Sequence, residues 1–307
     1  MSETWLDLKQ VTDRVATIAP VIGGGLLGRQ LDPWSGRVKW AERALQHVVS
    51  LCDHDENRLE AAIEAFAITS LDFLRLQARF RKTGVYARGS AAELDDLYSD
   101  PDQMVEYLDG LALSYAMWTN HAAMVQFFAE QFVANLAPES RVLEIGPGHG
   151  LLAAILMEHR SDASYMGVDI SASSLAYTRR SLESTTGSSG VFELHEADAV
   201  SSEFEAAVGD EGFDAIVCCE VLEHVDDPAI ILRAVANNLR PGGTAFLSTV
   251  ANLEAIDHIY LYDNVEHIRS HLAEAGFSLV HEHALVLPGA ENDALLPVNY
   301  SAVVEHM

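Results

Sequence analysis

Val142-Leu143-Glu144-Ile145-Gly146-Pro147-Gly148-His149-Gly150 is the stretch on which the reading of this chain turns. A buried-strand pattern, Arg141 to Ile145, runs straight into three glycines spaced two apart, and Leu151 to Met157 continues as an apolar helix. Glycine has no Cβ, so the backbone can turn sharply and let a ligand approach it closely. The first turn of the following helix offers amide N–H groups with no partner inside the helix, which suits a nucleotide, or a nucleoside with a carboxylate tail. The dinucleotide fingerprint wants a glycine at the sixth position of such a turn. Counted from Gly146, that position is Leu151, which counts against a nicotinamide-dependent oxidoreductase.

Downstream of the turn, short apolar runs alternate with helical patterns. Strands are expected at Tyr165 to Val168, Val191 to Leu194, Phe213 to Cys218, Thr244 to Thr249, Phe277 to Val286 and Tyr300 to Val304. Helices are expected at Leu175 to Leu182, Phe204 to Val208, Pro228 to Leu239 with Asp227 as cap, and Val265 to Ala275 closed by Gly276. This alternation implies an α/β, Rossmann-like, doubly wound and mostly parallel sheet with helices on both faces. Upstream, residues 1–137 read as an all-helical extension. Asp55 would cap a helix carrying Leu59, Ile63 and Phe66; Phe73, Leu76 and Phe80 prolong its apolar face; a second long helical pattern runs from Met104 to Leu136. Val21 to Gly36, with five glycines and a proline, reads as a loop. The division expected is thus 1–137, a helical lid with substrate and dimer contacts, and 138–307, the cofactor-binding domain.

The second strand ends in Gly167-Val168-Asp169-Ile170, about twenty residues past the turn, where a carboxylate can accept both hydroxyls of a ribose. The third ends in Glu196-Ala197-Asp198-Ala199, and Asp198 could accept from an adenine amino group. With these residues in hand, the chain resembles the class I S-adenosylmethionine-dependent methyltransferases over about residues 140–305. Leu143 to Gly150 resembles the family's first motif, Phe213-Asp214-Ala215-Ile216-Val217 through Leu222-Glu223-His224-Val225 its fourth, and Leu239-Arg240-Pro241-Gly242-Gly243 the turn before its fifth strand. The resemblance implies a seven-stranded sheet whose last strand is antiparallel, and S-adenosylmethionine as cofactor. It implies that Glu144 orders the turn and the methionine end, that Asp169 takes the ribose, and that Asp198 and Ala199 flank the adenine. Gly146, Pro147, Gly148, Gly150, Ile170 and Glu220 complete the expected cofactor contacts. Helical extensions ahead of this fold usually cover the cofactor and shape the acceptor pocket, and often pair subunits, so a homodimer is compatible with this one.

Methyl transfer from a sulfonium is an in-line displacement, and much of its catalysis can come from holding the acceptor in line. An oxygen or carbon acceptor must also lose a proton, a task for histidine. His224, after the fourth strand, is the candidate base, against its reading as a packed or capping residue. The alternative is a divalent cation on Glu220, Glu223 and His224, with His258 or His267 as a further ligand. Tyr115, Trp118, His121 and His149 are candidate pocket residues; their other reading is core at helical spacing. His267 and His271 lie four apart on one helix but point away from the face set by Val265, Ile268 and Leu272, so they read as solvated. Trp5, Trp34, Trp40 and Trp118 read first as core or domain contacts.

Composition narrows the acceptor. The formal net charge is −27, from 46 acidic and 19 basic residues, which repels nucleic acid and anionic membrane. Arg79, Arg81 and Lys82, and Arg179 and Arg180, are the nearest approach to a basic cluster and read as solvated helix faces. Three cysteines, Cys52, Cys218 and Cys219, make neither a disulfide scaffold nor a thiolate zinc site. Met1 to Asp13 lacks the basic-then-apolar pattern of a secretion signal and no eighteen-residue apolar run exists, so the expected location is the cytoplasm, with no membrane contact. The expected reaction is methyl transfer to a small molecule, by preference a hydroxyl of a specialised or quinone-like metabolite. C- or N-methylation is the nearest rival, and a non-catalytic cofactor-binding protein the rival of another class.

Overall fold

The computed structural model describes residues 6–22, 36–86, 100–186, 191–287 and 295–306. The expected loop at Val21 to Gly36 lies mostly outside these residues, as do Trp5 and Trp34. The helical region contains α1 (Leu8–Ile18), α2 (Val38–Leu51), α3 (Glu56–Thr83), α4 (Pro101–Met117) and α5 (Thr119–Phe127), with a single turn at Pro20–Ile22 after α1. Asp55 caps α3 as expected, accepting from the amides of Asn57 and Arg58. The pattern from Met104 to Leu136 is not one helix. Trp118 is extended (φ −102°, ψ 128°) and separates α4 from α5, which ends in a π turn at Phe128–Phe132 and a 3-10 turn at Val133–Asn135. Apolar residues keep helical spacing on both sides of the break, so periodicity does not register it. The Trp118 ring lies 5.9 Å from Phe66 and 5.4 Å from Phe73, contacts made by α3.

A seven-stranded sheet follows, in the order β3-β2-β1-β4-β5-β7-β6. Its strands are β1 (Arg141–Ile145), β2 (Ser164–Asp169), β3 (Phe192–Glu196), β4 (Phe213–Cys219), β5 (Leu239–Ala251), β6 (Phe277–Val286) and β7 (Val298–His306). The first five are parallel and β7 runs antiparallel to both β5 and β6. The helices between them are α6 (Leu151–His159), α7 (Ala172–Thr186), α8 (Ser202–Val208), α9 (Pro228–Asn238) and α10 (Val265–Glu274). β5 begins five residues earlier than expected, and the turn at Pro241-Gly242-Gly243 is absorbed as a register shift against Phe213 and Ala215.

Alternation along the strands divides the core. Val142, Ala215, Val217 and Phe246 face α6, α7 and the helical region, while Leu143, Ile145, Ile216 and Leu247 face α8, α9 and α10. Both faces are covered, which explains why the central strands read as unbroken apolar runs. The order reverses between β1 and β4, and in such sheets ligands bind beyond the carboxyl ends of the strands at that point. No helix among the described residues is long and apolar enough to cross a membrane.

Candidate active site

The glycine turn sits at the switch point. The Gly146 amide donates to the Val168 carbonyl (2.9 Å), which ties the turn to the end of β2. Gly148 has φ +55°, and a Cβ built there meets nothing within 4 Å. Gly150 has φ +79°, and a Cβ there falls 2.7 Å from the Thr178 Cα, so the turn packs tightly on α7. The loop thus has one open position, Gly148, and two closed ones, since a Cβ at Gly146 falls 2.6 Å from Val221 Cγ2. α6 begins at Leu151 with no side-chain cap, so its first amides face the same end of the sheet.

Around the turn stand buried carboxyls. Burial pushes Glu144 up to about 7, against the hydrogen bond it accepts from the Tyr165 hydroxyl (2.7 Å). Asp169 accepts from the amides of Ser171 (2.9 Å) and Gly148 (3.4 Å), and burial still pushes it up to about 6. Beyond it Ile170 is half exposed. Asp198 is exposed, one oxygen bonded by the Val200 amide, and Ala199 is buried beneath it.

Glu220 follows β4 in a left-handed backbone (φ +53°), an uncommon conformation for a non-glycine residue. It accepts from the Ser248 hydroxyl and from Asn299. Burial, with the neighbouring charge of Glu223, raises its pKa above the usual carboxylate range. Burial also raises Glu223, whose Oε2 accepts from Thr249 (2.7 Å) and whose Oε1 is buried without a hydrogen-bond partner. His224 ends the short turn after β4, its Nδ1 2.8 Å from the Asp257 carbonyl. A carbonyl only accepts, so Nδ1 carries a proton, and in the neutral ring the lone pair is on Nε2.

One ligand atom each from Glu223, His224 and His258 lies within 4.8 Å of the others, a spacing that suits a divalent cation. Two expectations are corrected here. Glu220 stands outside this trio, because it turns to Ser248 and Asn299. His267 is not the further histidine. His267 and His271 are also not solvated: they are half buried against Tyr260 and Tyr262, whose hydroxyls bond them. Arg79 is exposed, as expected of a solvated helix face, whereas Arg180 is half-buried, and both are held by partners. Arg79 pairs with fully buried Glu254, and Arg180 donates to the Leu51 carbonyl and Asp53.

Tyr115, Trp118, His121 and His149 come together despite lying on three elements. Tyr115 stacks edge-on to His149 (4.6 Å) and 4.7 Å from His121, which is 5.1 Å from Trp118. Burial drives His121 down to about 3 and His149 well below its ordinary value, so both rings are neutral. His149 Nδ1 is buried and unpartnered. Its carbonyl is bonded by His47, a residue the sequence gave no reason to single out. Thr249, Asn299, Asp257 and Tyr107 were missed as well, since none sits in a recognisable spacing.

A family profile described as a methyltransferase domain matches residues 117–286, more than half of the chain. The chain belongs to this methyltransferase family. Its cofactor is S-adenosylmethionine, and the residues present fit that group: an open glycine position, free helix amides for a carboxylate, and buried carboxyls that burial raises, suited to a cationic ligand. A ubiquinone biosynthesis O-methyltransferase from Sodalis glossinidius (strain morsitans) is 40% identical over 36% of this chain and 41% of its own length. The methyltransferase thus spans about two fifths of that relative. Among solved structures, magnesium protoporphyrin IX methyltransferase from Synechocystis PCC 6803 with bound S-adenosylhomocysteine superposes with a TM-score of 0.53 at 16% identity, covering 69% of this chain and 97% of that one. An O-methyltransferase family protein from Burkholderia thailandensis gives 0.55 at 12% identity, covering 82% and 73%. At such identities the likeness is one of fold.

Proposed function

We propose that this methyltransferase methylates a hydroxyl of a small acceptor, a ring hydroxyl of a quinone-type compound, with His224 as the base. The observation that carries the reading is the meeting, at one end of the sheet, of an open glycine turn, the Asp169 carboxylate and a lone pair on the His224 ring. When bound, S-adenosylmethionine supplies an electrophilic methyl group on a positively charged sulfur.

The chain's own residues divide the work. Asp169 holds the ribose hydroxyls, and half-exposed Ile170 with Asp198 and Ala199 frames the adenine. The turn amides and the start of α6 hold the carboxylate tail. Glu144 and Glu220, whose carboxyls burial raises, would be drawn toward their ionised forms by the cationic end. Tyr115, Trp118, His121 and His149, gathered beside the glycine turn, would face the acceptor, and burial keeps the two imidazoles neutral. His224 Nε2 takes the acceptor proton, which raises the nucleophilicity of the oxygen. The name of the ubiquinone-biosynthesis relative supports an oxygen acceptor, and the acidic surface supports a small neutral or cationic one.

Calorimetry with S-adenosylhomocysteine, with NAD as control, tests the binding half. Turnover of labelled methyl donor with catechol, 3,4-dihydroxybenzoate and matched amines tests the rest. Heat with S-adenosylhomocysteine and label on a ring oxygen is expected. No heat well above micromolar concentration refutes the cofactor site, and label on nitrogen alone refutes the acceptor class.

A further inference from the structure

The loop from Asn252 to Ile259, between β5 and α10, is held by the helical region through side chains more than 140 positions away. The Gln77 amide donates to the Asn252 carbonyl (2.9 Å) and accepts from the Glu254 amide (3.0 Å). Arg79 pairs with Glu254, and the Tyr86 hydroxyl donates to the His258 carbonyl (3.0 Å). The Tyr107 hydroxyl, from α4, donates to Asp257 Oδ2 (2.8 Å). Asp257 in turn faces two imidazoles. Its carbonyl takes the His224 Nδ1 proton at 2.8 Å, and its carboxylate lies 3.9 Å from His224 and 4.0 Å from His258.

We propose that Asp257, held by Tyr107, is a positioning residue for His224. The inference rests on the proposed role of His224 as base. A base must present a lone pair to the acceptor, and an imidazole does so from Nε2 only while Nδ1 keeps its proton. The Asp257 carbonyl fixes that tautomer. The neighbouring carboxylate favours the positive charge that the ring acquires when it takes the acceptor proton, as a buried carboxylate does for a catalytic histidine elsewhere. Tyr107 sets where Asp257 stands. The helical region therefore does more than cover the site, because one of its hydroxyls fixes the geometry of a group on the other side of the sheet's end.

Asp257→Asn keeps the backbone carbonyl and an acceptor for the Tyr107 hydroxyl but removes the carboxylate beside the His224 ring, which makes it the informative change. Tyr107→Phe removes one hydroxyl at a half-buried position and tests the same chain one link further out.

The experiment combines three readouts on full-length protein: nitrogen NMR of labelled histidines, calorimetry with S-adenosylhomocysteine, and steady-state turnover with catechol as probe acceptor. The wild type and Asp257→Asn, which keeps the backbone carbonyl at 257, are expected to show His224 protonated on Nδ1 alone, and Tyr107→Phe, which releases that residue, a mixture of tautomers. Asp257→Asn is expected to lower kcat about 30-fold, part of the roughly 10²–10⁴ a positioned base contributes, and Tyr107→Phe about 5-fold. KM and S-adenosylhomocysteine affinity should change less than twofold, which a general loss of structure would not allow. An unchanged His224 tautomer in Tyr107→Phe overturns the proposal, as does a kcat loss matched by an equal loss of affinity. His224→Gln separates the two levels. If it keeps wild-type kcat, the base assignment itself fails. If it is inactive while Asp257→Asn is unaffected, only the positioning role fails.

Discussion

Alanine at Gly148 and at Gly150 should separate binding from stability. Both glycines are left-handed, and an L residue there costs about 1–2 kcal/mol. At Gly148 nothing stands within 4 Å of the new Cβ, so that strain is the whole cost to the fold, a fall in Tm of about 3–5 °C. At Gly150 the Cβ lands 2.7 Å from the Thr178 Cα and 2.9 Å from the Ser181 hydroxyl. The first is backbone of α7 and cannot rotate away, so overpacking adds about 1–3 kcal/mol and Tm falls about 5–15 °C. Affinity should rank the other way. The open space in front of Gly148 is where the cofactor must approach the backbone, and a methyl group there should weaken S-adenosylhomocysteine at least about 100-fold, or about 2.7 kcal/mol. Thermal melts with and without S-adenosylhomocysteine, together with calorimetry, read both quantities. Wild-type affinity in Gly148→Ala, or equal Tm losses in the two variants, would refute the placement of the cofactor on this turn.

Other expectations follow from the same carboxyls and their partners. Burial pushes Glu144 and Asp169 up to about 7 and about 6, from ordinary values of 4.5 and 3.8, so between those limits the folded state binds more protons than the unfolded one. Stability of the ligand-free protein should therefore fall as pH rises from about 4.5 to 7, and Glu144→Gln should remove up to about 3 kcal/mol of that slope in urea melts compared at pH 5 and pH 8. A wild-type slope in the variant would contradict the assignment. Asp169→Asn should weaken S-adenosylhomocysteine about 30- to 100-fold by calorimetry, since hydrogen bonds to a charged acceptor are worth about 1.5–3 kcal/mol each. Thr249→Val strips Glu223 Oε2 of its donor inside the protein and should cost about 1–3 kcal/mol in denaturant melts, with no change in β-sheet circular dichroism.

Much of this molecule is written locally. The alternation after Ser140, the glycines at 146, 148 and 150, and Asp169 at the end of β2 each express a preference that acts within a few residues, and the sheet, its order of elements and the cofactor turn follow from them. Tyr115, Trp118 and His121 were legible as neighbours on the segment that leads into β1, although the helix breaks at Trp118, and the fold alone decided that His149, beyond β1, meets them. What only the folded chain decided are the contacts made across long separations. Trp118 breaks a periodic helix because α3 offers it Phe66 and Phe73. His47 bonds the carbonyl of a residue 102 positions away, and Tyr107 reaches Asp257 across 150. Glu220 and Glu223 share a spacing that suggested one ligand set, yet the left-handed backbone at Glu220 turns it to Ser248 and Asn299 while Glu223 faces Thr249 and the two histidines. A side chain's partners depend on where tertiary packing brings other segments, and single-sequence periodicity carries no information about that.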